Sequence, residues 1–160
     1  MARHTEAAHV LVVDDDDLGR TTLTQALSEA GYVVSGVASG QEAIDHVRQV
    51  EGRLDFIVMD QVLLVGEMDG IAATHQIHHQ YRDIRTIVMT LYGDGESSAA
   101  ALKAGAYRYV FRSPVLAEAA AEIVSLIGSA QSLAQIEAKL NDYFWLNNVT
   151  PQMNMAVGIV

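Results

Sequence analysis

Short, nearly continuous apolar runs alternate along this chain with longer segments whose apolar residues recur every three or four positions. Unbroken apolar runs suit strands covered on both faces of a sheet, and the three-to-four spacing suits helices with one buried side. Strands are expected at His9–Val13, Tyr32–Val37, Asp55–Met59, Thr86–Thr90 and Tyr107–Phe111. Helices are expected at Asp17–Ala30, Gly40–Val50, Ile71–Gln80 and Glu96–Ala104. This alternation predicts an α/β domain built on a parallel sheet. In the first helix, Leu18, Thr22, Leu23, Ala26 and Leu27 form the apolar stripe. Gly31 and Gly105 stand where a glycine ends a helix in a left-handed turn. Ser39 and Glu42 have the spacing of a capping box.

Beyond Pro114 the pattern changes. Val115 to Asn147 reads as one long helix, interrupted in composition only by Gly128. Ile123, Leu126, Ala130, Leu133, Ile136, Leu140 and Tyr143 follow three-to-four spacing with one irregular step, which suits a packing seam. Such a helix either folds back on its own domain or serves as a dimerising or linker element. The expected organisation is a tail over 1–8, a main domain over 9–128, a helical extension over 129–148, and a short apolar helix over 149–160. Pro151 takes a favoured first-turn position in that last helix.

A length of 160 residues suits one domain and an appendage. A net charge of −10 argues against a broad electrostatic grip on nucleic acid or anionic membrane. The absence of cysteine excludes disulfides and thiolate metal or redox chemistry. No signal-peptide pattern or bilayer-length apolar stretch is present, so the cytoplasm is the default location.

Candidate chemistry lies at the strand ends. The first expected strand runs into Asp14, Asp15, Asp16 and Asp17, and the third into Asp60. Ligands bind open parallel sheets at the carboxyl ends of strands, where strand order reverses. Were strands one and three neighbours, Asp14, Asp15 and Asp60 would converge there and repel unless a cation joined them. An oxygen-only set suits Mg²⁺, beside which a carboxylate can attack phosphorus. Asp16 and Asp17 are better explained by the helix dipole. Thr90 and Arg112, at the ends of strands four and five, supply a hydroxyl and a cation for a developing phosphoryl charge.

The ordered motifs Val10-Leu-Val-Val-Asp-Asp-Asp-Asp17, Asp55-Phe-Ile-Val-Met-Asp60, Met68-Asp69-Gly70, Val88-Met89-Thr90 and Lys103-Ala-Gly-Ala-Tyr-Arg-Tyr109 resemble the receiver domains of bacterial two-component response regulators. The likeness covers about His9 to Gly128. It implies a flavodoxin-like, doubly wound five-stranded sheet of order 2-1-3-4-5 with an extended C-terminal helix. It further implies that Asp60 accepts a phosphoryl group from a sensor histidine kinase or phosphotransfer protein. Asp15, Asp60 and the Val62 carbonyl would ligate Mg²⁺, with Asp14 acting through water. Thr90 would bond the phosphoryl group, and Tyr109 would be the aromatic that changes orientation on activation. Such domains catalyse their own phosphorylation and slow hydrolysis, but their purpose is signalling.

The chain also departs from the family. Gly70 comes ten positions after Asp60, more than is usual, and Leu63-Leu64 replaces the common Met-Pro pair. Arg112 takes the usual lysine position, and Pro114 comes one residue late. A planar guanidinium is not a substitute for a point charge, so a phosphorylation-independent interaction module is the alternative. A haloacid dehalogenase-type Mg²⁺ phosphohydrolase is the remote one: Asp14 and Asp16 have its spacing, but Leu18 stands where Thr or Val is expected. Met153 to Val160 is similar to the opening of the ANTAR RNA-binding module, which implies an RNA-binding continuation; a short docking helix is the plainer alternative. His75 with His79 has metal-pinching spacing but reads as an exposed polar face, Tyr107 as packing, and Phe144 with Trp145 as a packing anchor.

Overall fold

The computed structural model describes residues 6–146. Five parallel strands, β1 (His9–Val13), β2 (Val33–Val37), β3 (Phe56–Asp60), β4 (Arg85–Thr90) and β5 (Arg108–Phe111), form one sheet in the order β2-β1-β3-β4-β5. Between them run α1 (Asp17–Glu29), α2 (Gly40–Gln49), α3 (Gly70–Gln80) and α4 (Gly95–Lys103), and α5 (Leu116–Leu146) comes after β5. The flavodoxin-like, doubly wound fold expected from the sequence is the fold observed.

Burial explains the strand order. Val10–Val13 of β1, all of β3 and Thr86–Thr90 of β4 are buried, so the three most buried strands occupy the centre. On one face Leu11, Val13, Ile57, Met59 and Val88 pack with Ala43, Ile44 and Val47 of α2 and Ala73 and Ile77 of α3. The intervening residues Val10, Val12, Val58 and Ile87 are equally buried. Full burial of each such side chain is worth about 1.5–3 kcal/mol. The expectation that all five strands are covered on both faces fails at the edges. In β2 and β5 no residue is fully buried, because each has a strand neighbour on one side only.

Each of the helices α1 to α4 begins with a side-chain cap. Asp16, Ser39, Asp69 and Asp94 accept bonds from the backbone N–H groups of Gly19, Glu42, Ala72 and Ser97. The expected capping box is modified: Glu42 reaches past Ser39 and accepts from the Ala38 N–H at 2.7 Å. Gly31 and Gly105 take φ of +99° and +107°, as helix-terminating glycines should. Leu18 is a correction, being 66% exposed. The buried face of α1 is Gly19, Leu23 and Leu27, four residues apart, and Leu18 lies one helical step away from it.

The chain divides into two compact units, the first ending at Val124 and the second starting at Ser125. Within the second, Leu133, Ile136, Leu140 and Tyr143 are exposed. Trp145 is 62% exposed, and the Phe144 ring meets that of its exposed neighbour Tyr143 edge-on at 5.8 Å. The expected apolar helix over 149–160, with its similarity to an RNA-binding module, lies outside the described residues. No helix among the described residues is long and apolar enough to cross a membrane.

Candidate functional site

Strand order reverses between β1 and β3: β1 leads to β2 on one side, and β3 lies on the other. The register pairs Val13 with Met59, so the next residues, Asp14 and Asp60, stand side by side at the carboxyl edge. Asp14, Asp15 and Asp60 each offer an oxygen, all within 4.8 Å of one another. This is the convergence expected from the sequence. Among the described residues it is the one cluster of three or more potential metal ligands. His75 and His79 are exposed on α3 and gain no third ligand there.

Each carboxylate is held by backbone. Asp14 is buried, its Oδ1 accepts the Asp16 N–H at 2.9 Å, and its carbonyl accepts Arg20 Nη1 at 2.7 Å. Gly19 makes room for it: a Cβ there would lie 2.8 Å from Asp14 Oδ2. Asp15 Oδ2 accepts the Leu64 N–H at 2.9 Å, so the long loop after β3 is tied back to β1. Asp60 Oδ1 accepts the Val62 N–H at 3.2 Å. In that loop Leu63 is buried in the core, whereas Val62, Leu64 and Val65 are exposed. Gly70 closes the loop, because any Cβ at that position would collide with the Asp60 carbonyl oxygen.

The electrostatics arise from this crowding. Burial pushes the Asp60 carboxyl up to about 7, and the neighbouring Asp14 charge pushes the same way; the Val62 N–H bond and the Arg112 charge oppose both. Asp14 is also raised, chiefly by burial, against the Asp16 N–H bond and Arg112. A site that resists its own ionisation is one that a cation stabilises. All three donors are hard carboxylate oxygens, two of them buried, so the residues present fit Mg²⁺.

Thr90 ends β4 and Arg112 follows β5, and the Arg112 charge acts on Asp14 and Asp60. Thr90 is buried, and its hydroxyl donates to the Tyr92 carbonyl at 3.0 Å. The Arg112 N–H donates to the Thr90 carbonyl at 2.9 Å. Its guanidinium lines a small cavity with Asp14, Leu23, Met89 and Ile123, and its Nε is buried without a hydrogen-bond partner. Tyr109, the expected switch residue, donates its hydroxyl to Gln61 Oε1 at 2.5 Å and meets Phe111 edge-on. Burial raises its hydroxyl above the ordinary phenol range, as does the Asp94 charge, with a Ser97 hydrogen bond opposing. Tyr107 packs as expected, its ring stacked by the Arg85 and Arg108 guanidinium groups at 5.2 and 4.6 Å. Gln61 and Gly93 were missed from the sequence. Adjacency of a polar residue to Asp60 was the available signal, but its contact with Tyr109 spans 48 positions.

A doubly wound sheet of this order with a carboxylate triad at its switch point defines a class of protein, and the comparisons agree. Residues 10–123 match the model of the response regulator receiver domain, and the chain belongs to that family. It is a response-regulator receiver with a signalling role. The transcriptional regulatory protein ZraR of Escherichia coli strain K12 is 36% identical over 103 residues, covering 64% of this chain and 22% of that protein. The response regulator GacA of Pseudomonas viridiflava is 31% identical over 147 residues, covering 91% of this chain and 65% of that protein. The chain therefore spans about a fifth of the one relative's length and under two thirds of the other's. The response regulator domain of Thermotoga maritima CheB is similar in structure, with a TM-score of 0.67, 26% identity, and coverage of 79% of this chain and 98% of that one. Family membership decides against the phosphohydrolase reading of Asp14 and Asp16. The structure agrees, since Asp16 is committed to capping α1.

Proposed function

We propose that this receiver is switched by phosphorylation of Asp60. The observation that carries the reading is the placement of Asp14, Asp15 and Asp60 within 4.8 Å of one another at the sheet's switch point. A carboxylate oxygen of Asp60 attacks the phosphorus of a phosphohistidine, on a sensor kinase or phosphotransfer protein, or of a small acyl phosphate. The new O–P bond forms as the bond to the donor breaks, and the donor leaves with the electron pair. Asp15, Asp60 and the Val62 carbonyl would hold Mg²⁺, with Asp14 acting through water. When bound, Mg²⁺ neutralises the carboxylates and the charge on the phosphoryl oxygens.

The chain's own residues do the rest. The Val62 N–H orients Asp60 through Oδ1. The Thr90 hydroxyl, bonded to Tyr92 in this state, turns to the phosphoryl group. Arg112, whose Nε is buried without a partner, lends positive charge to Asp14 and Asp60 from the cavity it lines with Asp14. Slow self-hydrolysis resets the switch. Acetyl phosphate with Mg²⁺ should add one phosphoryl mass to the wild type and none to Asp60→Asn. A wild type that stays unmodified overturns the proposal.

The receiver proper spans 9–128 in this reading, and 129–148 serves as the association helix of a cytoplasmic homodimer. Leu133 and Leu140, a heptad apart and both exposed, support it, because leaving such side chains in water forgoes about 1.5–3 kcal/mol each. Light scattering should report a dimer for the wild type and a monomer for Leu133→Asp, Leu140→Asp. A monomeric wild type contradicts it. RNA binding through a module that opens in the 149–160 region is the output we propose, supported by the likeness of Met153 to Val160 to the ANTAR opening.

A further inference from the structure

Gln61 is the residue after Asp60, and its backbone is fixed twice. Its N–H donates to the Met89 carbonyl at 2.9 Å, and its carbonyl accepts from the Gly70 N–H at 2.9 Å. Its side chain, on the opposite side of the strand from Asp60, accepts the Tyr109 hydroxyl at 2.5 Å. β4 separates these two residues in the sheet, so the bond spans the end of an intervening strand. Beside the hydroxyl lies Gly93, where any Cβ would collide with the Tyr109 oxygen and would approach Thr90 Cγ2 to 2.9 Å. The ring is braced by Phe111 at 5.8 Å. Gln61 thus joins the backbone at the acidic site to the aromatic on β5 through one side-chain bond.

We infer that Gln61 is a positioning residue: its amide oxygen latches Tyr109 and couples the state of Asp60 to the outer edge of the sheet. The coupling rests on the phosphorylation reading above, whereas the latch does not. A phosphoryl group on Asp60 shifts the segment that carries Gln61, and Thr90 leaves Tyr92. Both changes alter the seat of the Tyr109 hydroxyl. Glutamate at position 61 keeps the acceptor, and leucine removes it.

The protein labelled with 3-fluorotyrosine carries six fluorines, one for each tyrosine, and loss of a signal in Tyr109→Phe assigns the one of interest. In unphosphorylated protein, Gln61→Leu should move the Tyr109 resonance toward that of the exposed Tyr92 and give it a comparable solvent-isotope shift. Gln61→Glu should keep it near the wild-type position. An unmoved resonance in Gln61→Leu overturns the latch, as does an equal displacement in Gln61→Glu. Acetyl phosphate with Mg²⁺ should then shift the wild-type resonance at least twofold more than that of Gln61→Leu, and equal shifts overturn the coupling. Intact mass on the same samples separates the two readings. A wild type without added phosphoryl mass contradicts the role of Asp60, while the unphosphorylated spectra still test the latch.

Discussion

The carboxylate cluster and the Tyr109 seat lie on the same edge of one sheet, yet they are held in different ways. Asp14 follows β1 and Asp60 ends β3, two of the three central strands, whose preceding residues are buried, so their positions are set by the packing of the whole core. Tyr109 sits on an edge strand with no fully buried residue, and its hydroxyl is placed by side-chain bonds to Gln61 and Ser97 and by a glycine. A centre fixed by burial tolerates charge crowding that would open a looser site. An edge fixed by single contacts can change state at low cost. That division suits a switch, in which the chemistry must stay put and the readout must move.

The comparison breaks most visibly at the centre. Asp60→Asn should abolish phosphorylation altogether, and in metal-free protein at neutral pH it should raise the melting temperature by removing one of three crowded carboxylates. A lower melting temperature would deny that the crowding is costly. Next in size is packing. Ile57→Ala on β3 should cost about 2–5 kcal/mol by denaturant unfolding, while Phe111→Ala on β5, at 59% exposure, should cost clearly less. Similar losses at the two sites would erase the distinction between centre and edge.

Acidity sharpens the same contrast. Asp60 in the folded, metal-free protein titrates near 7, above its ordinary 3.8. Between those values the folded state keeps a proton that the unfolded chain has released, so stability falls as pH rises through the window and levels off above about 7. Asp14 acts in the same direction. The slope cannot exceed roughly 1.4 kcal/mol per pH unit for each group. Added Mg²⁺ should raise the melting temperature more at pH 8 than at pH 5, where Asp60 already carries its proton. Equal gains at both values would contradict the carboxylate account. The smallest effect belongs to the edge: Gly93→Ala should displace the Tyr109 fluorine resonance while leaving the extent of phosphorylation near wild type, and an undisturbed Tyr109 would count against its seat.

The same division governs how far these features were legible in the sequence. The central strands are read from unbroken apolar runs, and β1 matches its expected bounds, His9–Val13. Carboxylates at the ends of such runs have few structural uses, so Asp14, Asp15 and Asp60 stood out, and sheet order brings them together. Leu18 misled because an apolar residue in the first turn of α1 fits helical spacing while lying a step off the buried face. The apolar pattern of β2 and β5 likewise read as cover on both faces, and only the strand order implied by the family likeness marked them as edges. Gln61 was invisible for another reason. A single polar side chain bonded across an intervening strand leaves no periodic trace, and only the fold brings positions 61 and 109 within reach.

The central claim is that one carboxylate, Asp60, receives the phosphoryl group. Borohydride reduces an acyl phosphate, converting a phosphorylated aspartate to homoserine, so the acceptor can be located in the chain. After treatment with acetyl phosphate and Mg²⁺, reduction and proteolysis, tandem mass spectrometry should place homoserine at position 60, with Asp14 and Asp15 intact. Homoserine at position 14 or 15, or at none of the three, would contradict the account.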